Sequence, residues 1–182
     1  MNTRKPRDFL KELEVLSVVG LAATAIGVAL GVAHLLSGNP ISYEAPAAAA
    51  DHPFTMVTVQ IAEPSAEQRL LFGLSQAPTP LLLVAVLALL VYTLHRARRT
   101  DPFTPQTVRN LRLMGLVLLL GLSTNVVQGW ALGALSATVT PDRWSATASV
   151  PLGWLFGGFV CFAIAEVVNR GRVMRDELAS VI

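Results

Sequence analysis

A chain of 182 residues with 53% hydrophobic and only 14% charged side chains falls well short of the roughly one-quarter charged residues of an ordinary soluble domain. One cysteine, Cys161, excludes a disulfide within the chain, a paired-cysteine redox motif and a Cys/His zinc cluster. The net charge of +2 is small, and the basic residues flank apolar runs without interleaved aromatics, which predicts no direct nucleic-acid binding.

In the amino-terminal tail, Phe9, Leu10 and Leu13 alternate with Arg7, Lys11 and Glu12 at helical spacing, predicting a helical lead-in. The first apolar run, 15–36, is longer than the ~7–15 residues of a signal-peptide core. The small residues Ala47 to Ala50 lie well past its end at Leu36, so a retained span is expected. Gly38-Asn39-Pro40 breaks it. The segment 39–78 begins with an alanine-rich stretch, 45–50, read as loose chain. Residues 54–61 then show period-two alternation, with Val57, Val59 and Ile61 on one face and Thr58 and Gln60 on the other, which predicts a strand. Ser65-Ala66-Glu67-Gln68 fits a capping box opening a short helix through Leu70, Leu71, Phe72 and Leu74.

The second apolar run, 79–95, is the shortest and can lengthen by snorkelling of Tyr92, His95 and Arg96. After it, Thr104 can cap a helix with Pro105 at its first position. That helix is expected to pass unbroken through the third run, 111–135, with Arg109 and Arg112 at the headgroup level. Phe103 packing and an Asp101 pair with Arg98 or Arg99 are expected to order the connection. Ala137-Thr138-Val139-Thr140 reads as a second strand able to pair with the first. The fourth run, 150–168, is expected to continue as helix into Arg170, Arg172 and Arg175.

Each run is long enough to cross a ~30 Å hydrocarbon core, so the segments between them alternate between two compartments. Twelve of the fourteen Lys and Arg then lie on one side, the exceptions being Arg69 and Arg143. The positive-inside bias assigns that side, with both termini, to the cytoplasm, where a basic surface suits an anionic leaflet. The expected fold is a single all-α membrane domain over 1–182. It has four transmembrane helices and a small extracytoplasmic cap, 39–78 and 136–149, containing β-strand.

Asp101-Pro102-Phe103-Thr104 precedes Asn110-Leu111-Arg112 and Gly115; Ala165-Glu166-Val167-Val168 precedes Arg170-Gly171 and Asp176-Glu177-Leu178. On these motifs and the four-span layout the chain resembles the bacterial membrane proteins grouped as domain-of-unknown-function family 2975. The final residues, Ala179 to Ile182, are less polar than that pattern. The resemblance implies a small protein of the bacterial cytoplasmic membrane, sometimes encoded beside a helix-turn-helix regulator, and transfers no catalytic residue.

Glu166 is the most costly residue, because intramembrane carboxylates are rare and usually face protein or water. It suits a proton or cation site, a subunit contact, or a structural pair with Arg170 at i+4, Arg109 or Arg112. Asn125 and Gln128, three apart in a polar stretch with Ser123 and Thr124, suit interhelical bonding or a polar pathway. Gly27/Gly31, Gly129/Gly133 and Gly153/Gly157 are G-x-x-x-G pairs that suit close helix packing or dimerisation. His34, His52 and His95 share no ligand spacing, and Trp130, Trp144 and Trp154 map to the outer interface.

No nucleophile elbow, phosphate-binding loop or catalytic carboxylate pair is legible, so neither an enzyme nor a cofactor or metal is expected. The sequence favours a non-enzymatic protein embedded in the lipid bilayer and acting through a protein partner or a second copy of itself, as accessory subunit or sensor. The other reading is a small transporter or channel subunit with Glu166, Asn125 and Gln128 lining a polar path. The topology has a direct test: a Thr3→Cys variant should resist impermeant thiol reagents in intact cells and react after lysis. Labelling from outside would reverse the orientation.

Overall fold

The computed structural model describes residues 9–46, 56–99, 103–139 and 152–181. Its elements run α1 (Phe9–Leu36), β1 (Ile41–Pro46), β2 (Met56–Ile61), α2 (Ala66–Gln76), α3 (Pro78–Arg99), α4 (Pro105–Val139) and α5 (Leu152–Val181). Four of the five helices, α1, α3, α4 and α5, are long and apolar enough to cross a membrane. The expectations for Asp101, His52, Arg143 and Trp144 lie outside the described residues.

Apolar composition makes these helices possible, and their polar residues do not interrupt them. The hydroxyl of Ser17 donates to the Leu13 carbonyl at 2.7 Å and that of Thr24 to the Gly20 carbonyl at 2.8 Å, so each returns its hydrogen bond to its own helix. α1 ends at Ser37, whose amide donates to the Ala33 carbonyl at 3.0 Å. Gly38 follows at φ 78°, the left-handed conformation that glycine adopts without a steric penalty after a helix. α4 begins as its capping residue dictates: the Thr107 amide donates to the Thr104 hydroxyl at 3.3 Å, with Pro105 as the first helical residue.

The chain divides into two compact units. One comprises Met1–Ala25, Leu82–Leu120 and Leu152–Ile182; the other comprises Ile26–Leu81 and Gly121–Pro151. In the first, Met114 and Leu118 of α4 meet Cys161 of α5, with Val86, Leu89 and Leu90 of α3 packed against them. α4 and α5 are antiparallel there, as three contacts show: Leu118 faces Gly157, Gly115 faces Gly158, and the Phe103 ring lies on Gly171. The tightest approach is at Gly115 and Gly158. A Cβ on Gly115 would stand 3.1 Å from the Gly158 carbonyl oxygen, and one on Gly158 would stand 3.2 Å from the Gly115 carbonyl oxygen.

In the second unit β1 and β2 pair antiparallel, Ile41 opposite Ile61 and Tyr43 opposite Val59. Tyr43, Leu71 of α2 and Leu135 of α4 form the core, with Val59, Ile61, Phe72 and Leu132 against it. The capping box of α2 is closed in both directions, Ser65 amide to Gln68 Oε1 at 2.9 Å and Gln68 amide to Ser65 Oγ at 3.2 Å. Gln68 Nε2 also donates to Thr138 Oγ1 at 3.1 Å. Arg69 Nη1 donates to the Leu35 carbonyl at 3.0 Å and Nε to the Pro64 carbonyl at 3.3 Å, satisfying an acceptor that the end of α1 leaves open.

Two expectations are corrected. Residues 137–139 are not a strand; they are the last residues of α4, with the Thr138 hydroxyl donating back to the Leu135 carbonyl at 2.7 Å. The partner of β2 is β1, part of which lay in the stretch expected to be loose: Ile41 and Tyr43 are buried and alternate with Ser42 and Glu44, a period-two pattern that two flanking prolines obscured. Among the glycine pairs, Gly27, Gly31 and Gly153 have nothing within 4 Å of a would-be Cβ. Trp154 packs against the first unit's core.

Because lipid is as apolar as leucine, close packing weighs heavily in helix association. Gly158→Leu should therefore lower thermal stability in detergent by about 1–3 kcal/mol, the usual cost of overpacking. Gly27→Leu, made in open space, should not destabilise. Equal melting of the two variants would remove the crossing as a determinant.

Candidate functional site

The first unit contains most of the charged side chains singled out from the sequence. The antiparallel register of α4 and α5 brings Arg112 opposite Glu166. Arg112 Nη2 lies 3.8 Å from Glu166 Oε2, and Arg170 Nε donates to Glu166 Oε1 at 3.0 Å. The second contact follows from i,i+4 spacing on one helix face; the first depends on the helix pair. Cys161 and Ala165 take the inward-facing stripe of α5 and are buried. Glu166, one residue further round the helix, is left 48% exposed at the edge. Of the alternatives open from the sequence, the pairs with Arg170 and Arg112 are present, with the Glu166 side chain half exposed. Half-exposed pairs of this kind contribute at most about 1 kcal/mol each.

Beside this carboxylate is an open cleft of about 470 Å³ between α4 and α5, lined by Arg109, Arg112, Leu113, Leu116, Asn169 and Arg172 among others. The described residues offer no carboxylate to Arg109 or Arg172. The Arg172 Nε is buried with no hydrogen-bond partner.

A second carboxylate in this unit was not singled out from the sequence. Glu14 of α1 accepts from Arg98 of α3, and His95 Nδ1 lies 2.9 Å from its other oxygen. Its side chain is largely buried, whereas that of His95 is half exposed. No local spacing connects a residue of α1 with two at the end of α3. The only available signal was that all three were assigned to the same membrane side.

Asn125 and Gln128 belong to the second unit. Gln128 Nε2 donates to Thr79 Oγ1 of α3 at 3.0 Å, and the neighbouring Thr124 returns its hydroxyl to the Gly121 carbonyl at 2.7 Å. Asn125 is half-buried. Gln128 is thus joined to helix packing, while Glu166, Arg109 and Arg112 lie in the other unit. Burial raises the Tyr43 phenol above its ordinary range, as suits a core residue. Among the described residues, no three His, Cys, Asp or Glu side chains gather as a metal site would require. Comparisons of the chain with family models, curated proteins and solved structures find no match.

The two polar contacts differ in kind and can be separated by stability. Gln128→Leu should cost about 0.6–2 kcal/mol, the range for an interhelical polar bond in a membrane. Glu166→Gln should change stability by less than about 1 kcal/mol, because its pairs are exposed and the amide can still bond Arg170. Melting curves in one detergent check both, and a larger loss for Glu166→Gln would mean that its ion pairs hold α4 to α5.

Proposed function

We propose that this is a non-enzymatic, multi-pass protein of a bacterial cytoplasmic membrane that acts through protein partners, as an accessory subunit or as a sensor coupled to a cytoplasmic regulator. Both termini are cytoplasmic in this reading, and the β1–β2 sheet with α2 faces the opposite side. The observation that supports it most directly is the state of the carboxylates. Glu14 is engaged by His95 and Arg98, and Glu166 by Arg112 and Arg170. A proton relay or cation path needs an acid that can exchange its partner, and an acid flanked by two basic groups is poorly suited to that. Occupied carboxylates suit fixed spans that carry a cap on one side and a charged helical end on the other.

A photoreactive amino acid placed at Glu63 in the cap, and separately at Met174 near the end of α5, should give discrete adducts with a protein or a second copy of the chain in living cells. Proteoliposomes should show no proton or cation flux that depends on Glu166. Absence of adducts at both positions, together with a flux abolished by Glu166→Gln, would replace this function with the transporter reading.

A further inference from the structure

The cleft between α4 and α5 contains more positive charge than its internal pairs require. Three arginines, Arg109, Arg112 and Arg172, line it together with Asn169. Glu166 is engaged by Arg112 and by Arg170. Arg109 and Arg172 have no carboxylate partner among the described residues, and the Arg172 Nε has no acceptor.

The apolar half of the cleft continues along α4. Leu113 follows Arg109 by four residues and Leu116 follows Arg112 by four, so each arginine has a leucine one turn along the same helix face. Leu113, Leu116 and the next residue on that stripe, Leu120, are all exposed. A ligand that fits has an anionic head with several acceptor oxygens and an apolar tail aligned with the helix. Arginine forks match a phosphate bidentately, and exposed leucines in series match an acyl chain.

We propose that this cleft is a binding site for one anionic phospholipid. The phosphate is held by Arg109 and Arg172, with Arg112 shared between it and Glu166, and an acyl chain follows Leu113, Leu116 and Leu120. The proposal rests on membrane insertion with this end of the helices at the cytoplasmic headgroups, where basic pockets between spans take anionic head groups. Free phosphate would use the arginines and leave the leucine stripe unexplained, so the lipid is the occupant. Glu166 competes for Arg112 and thereby limits the affinity.

The test uses the full chain in nanodiscs of roughly 9:1 phosphatidylcholine to phosphatidylglycerol, with native mass spectrometry counting the lipids retained on ejection. The wild type should retain phosphatidylglycerol in preference to phosphatidylcholine. Retention should fall about fivefold for each arginine lost in R109Q and R172Q, from the attraction of one basic residue to an anionic surface. R175Q, at the same helical end but outside the cleft, should retain as the wild type does. E166Q should retain more, a gain that misfolding cannot produce. Equal retention of the two lipids, no effect of R109Q and R172Q, or a loss in E166Q would overturn the site. Inorganic phosphate displacing the retained lipid at comparable occupancy would overturn the lipid as its source. Flotation of the protein with vesicles is scored separately. Failure to float removes the membrane reading and the site with it, whereas flotation without selective retention removes the site alone.

Discussion

The close approach of Gly115 and Gly158 fixes the antiparallel register of α4 and α5, and that register positions the charged residues of the first unit. Each glycine leaves room for the other's backbone carbonyl, with 3.1 and 3.2 Å from a would-be Cβ to the facing oxygen. Moving along the pair from this crossing, Arg112 reaches Glu166, and Phe103 reaches Gly171. A slip of α5 by one residue would rotate it by about 100° (3.6 residues per turn). Glu166 would lose Arg112, and a slip that brought Phe159 to the crossing would force its side chain toward the Gly115 carbonyl. In lipid, where burying leucine against leucine gains little over burying it against acyl chains, such a backbone contact is among the few features able to select one register.

Features encoded within a few residues were readable in the chain. The Ser65–Gln68 capping box, the Thr104-Pro105 start of α4 and the unbroken α5 each depend on neighbours one turn away, and the four apolar helices follow from composition over a long window. Features that depend on a partner distant in sequence were not. The G-x-x-x-G spacing marks glycines on one face of one helix and says nothing about whether another backbone comes to meet them. Gly27 and Gly31 satisfy the spacing with no neighbour, whereas Gly115 and Gly158 meet from different helices. Glu14 has the same difficulty, since its partners His95 and Arg98 come from α3.

The misplaced strand has a more local cause. Ala137-Thr138-Val139 alternates apolar with polar residues, yet it follows thirty-odd residues of α4 whose hydrogen-bond ladder is already formed. Adding residues to an existing helix requires no new nucleus, and Thr138 also accepts the Gln68 amide. A hairpin partner for β2 was available nearer in sequence at Ile41–Pro46, where Ile41 and Tyr43 bury the face that Val59 and Ile61 need. A two-stranded sheet is marginal alone. This one rests on Leu71 and Leu135, so the strands depend on α2 and the end of α4.

The placement of Glu166 follows from the same packing economy. Cys161 and Ala165, small enough for the α4–α5 interface, occupy the inward stripe of α5 and leave Glu166 at its edge. There its carboxylate contributes little to stability, because two half-exposed ion pairs are each worth at most about 1 kcal/mol. Its larger effect is on where positive charge remains. By engaging Arg112 from α4 and Arg170 from its own helix, it fixes two arginines of the first unit and leaves Arg109 and Arg172 on the cleft side without a carboxylate partner among the described residues. An apolar residue at 166 would leave four arginines mutually repelling across one helix pair, and a second acid would reduce the excess positive charge of the cleft. A single carboxylate at this position keeps the charge uneven: Arg112 and Arg170 share Glu166, whereas Arg109 and Arg172 have no carboxylate partner among the described residues.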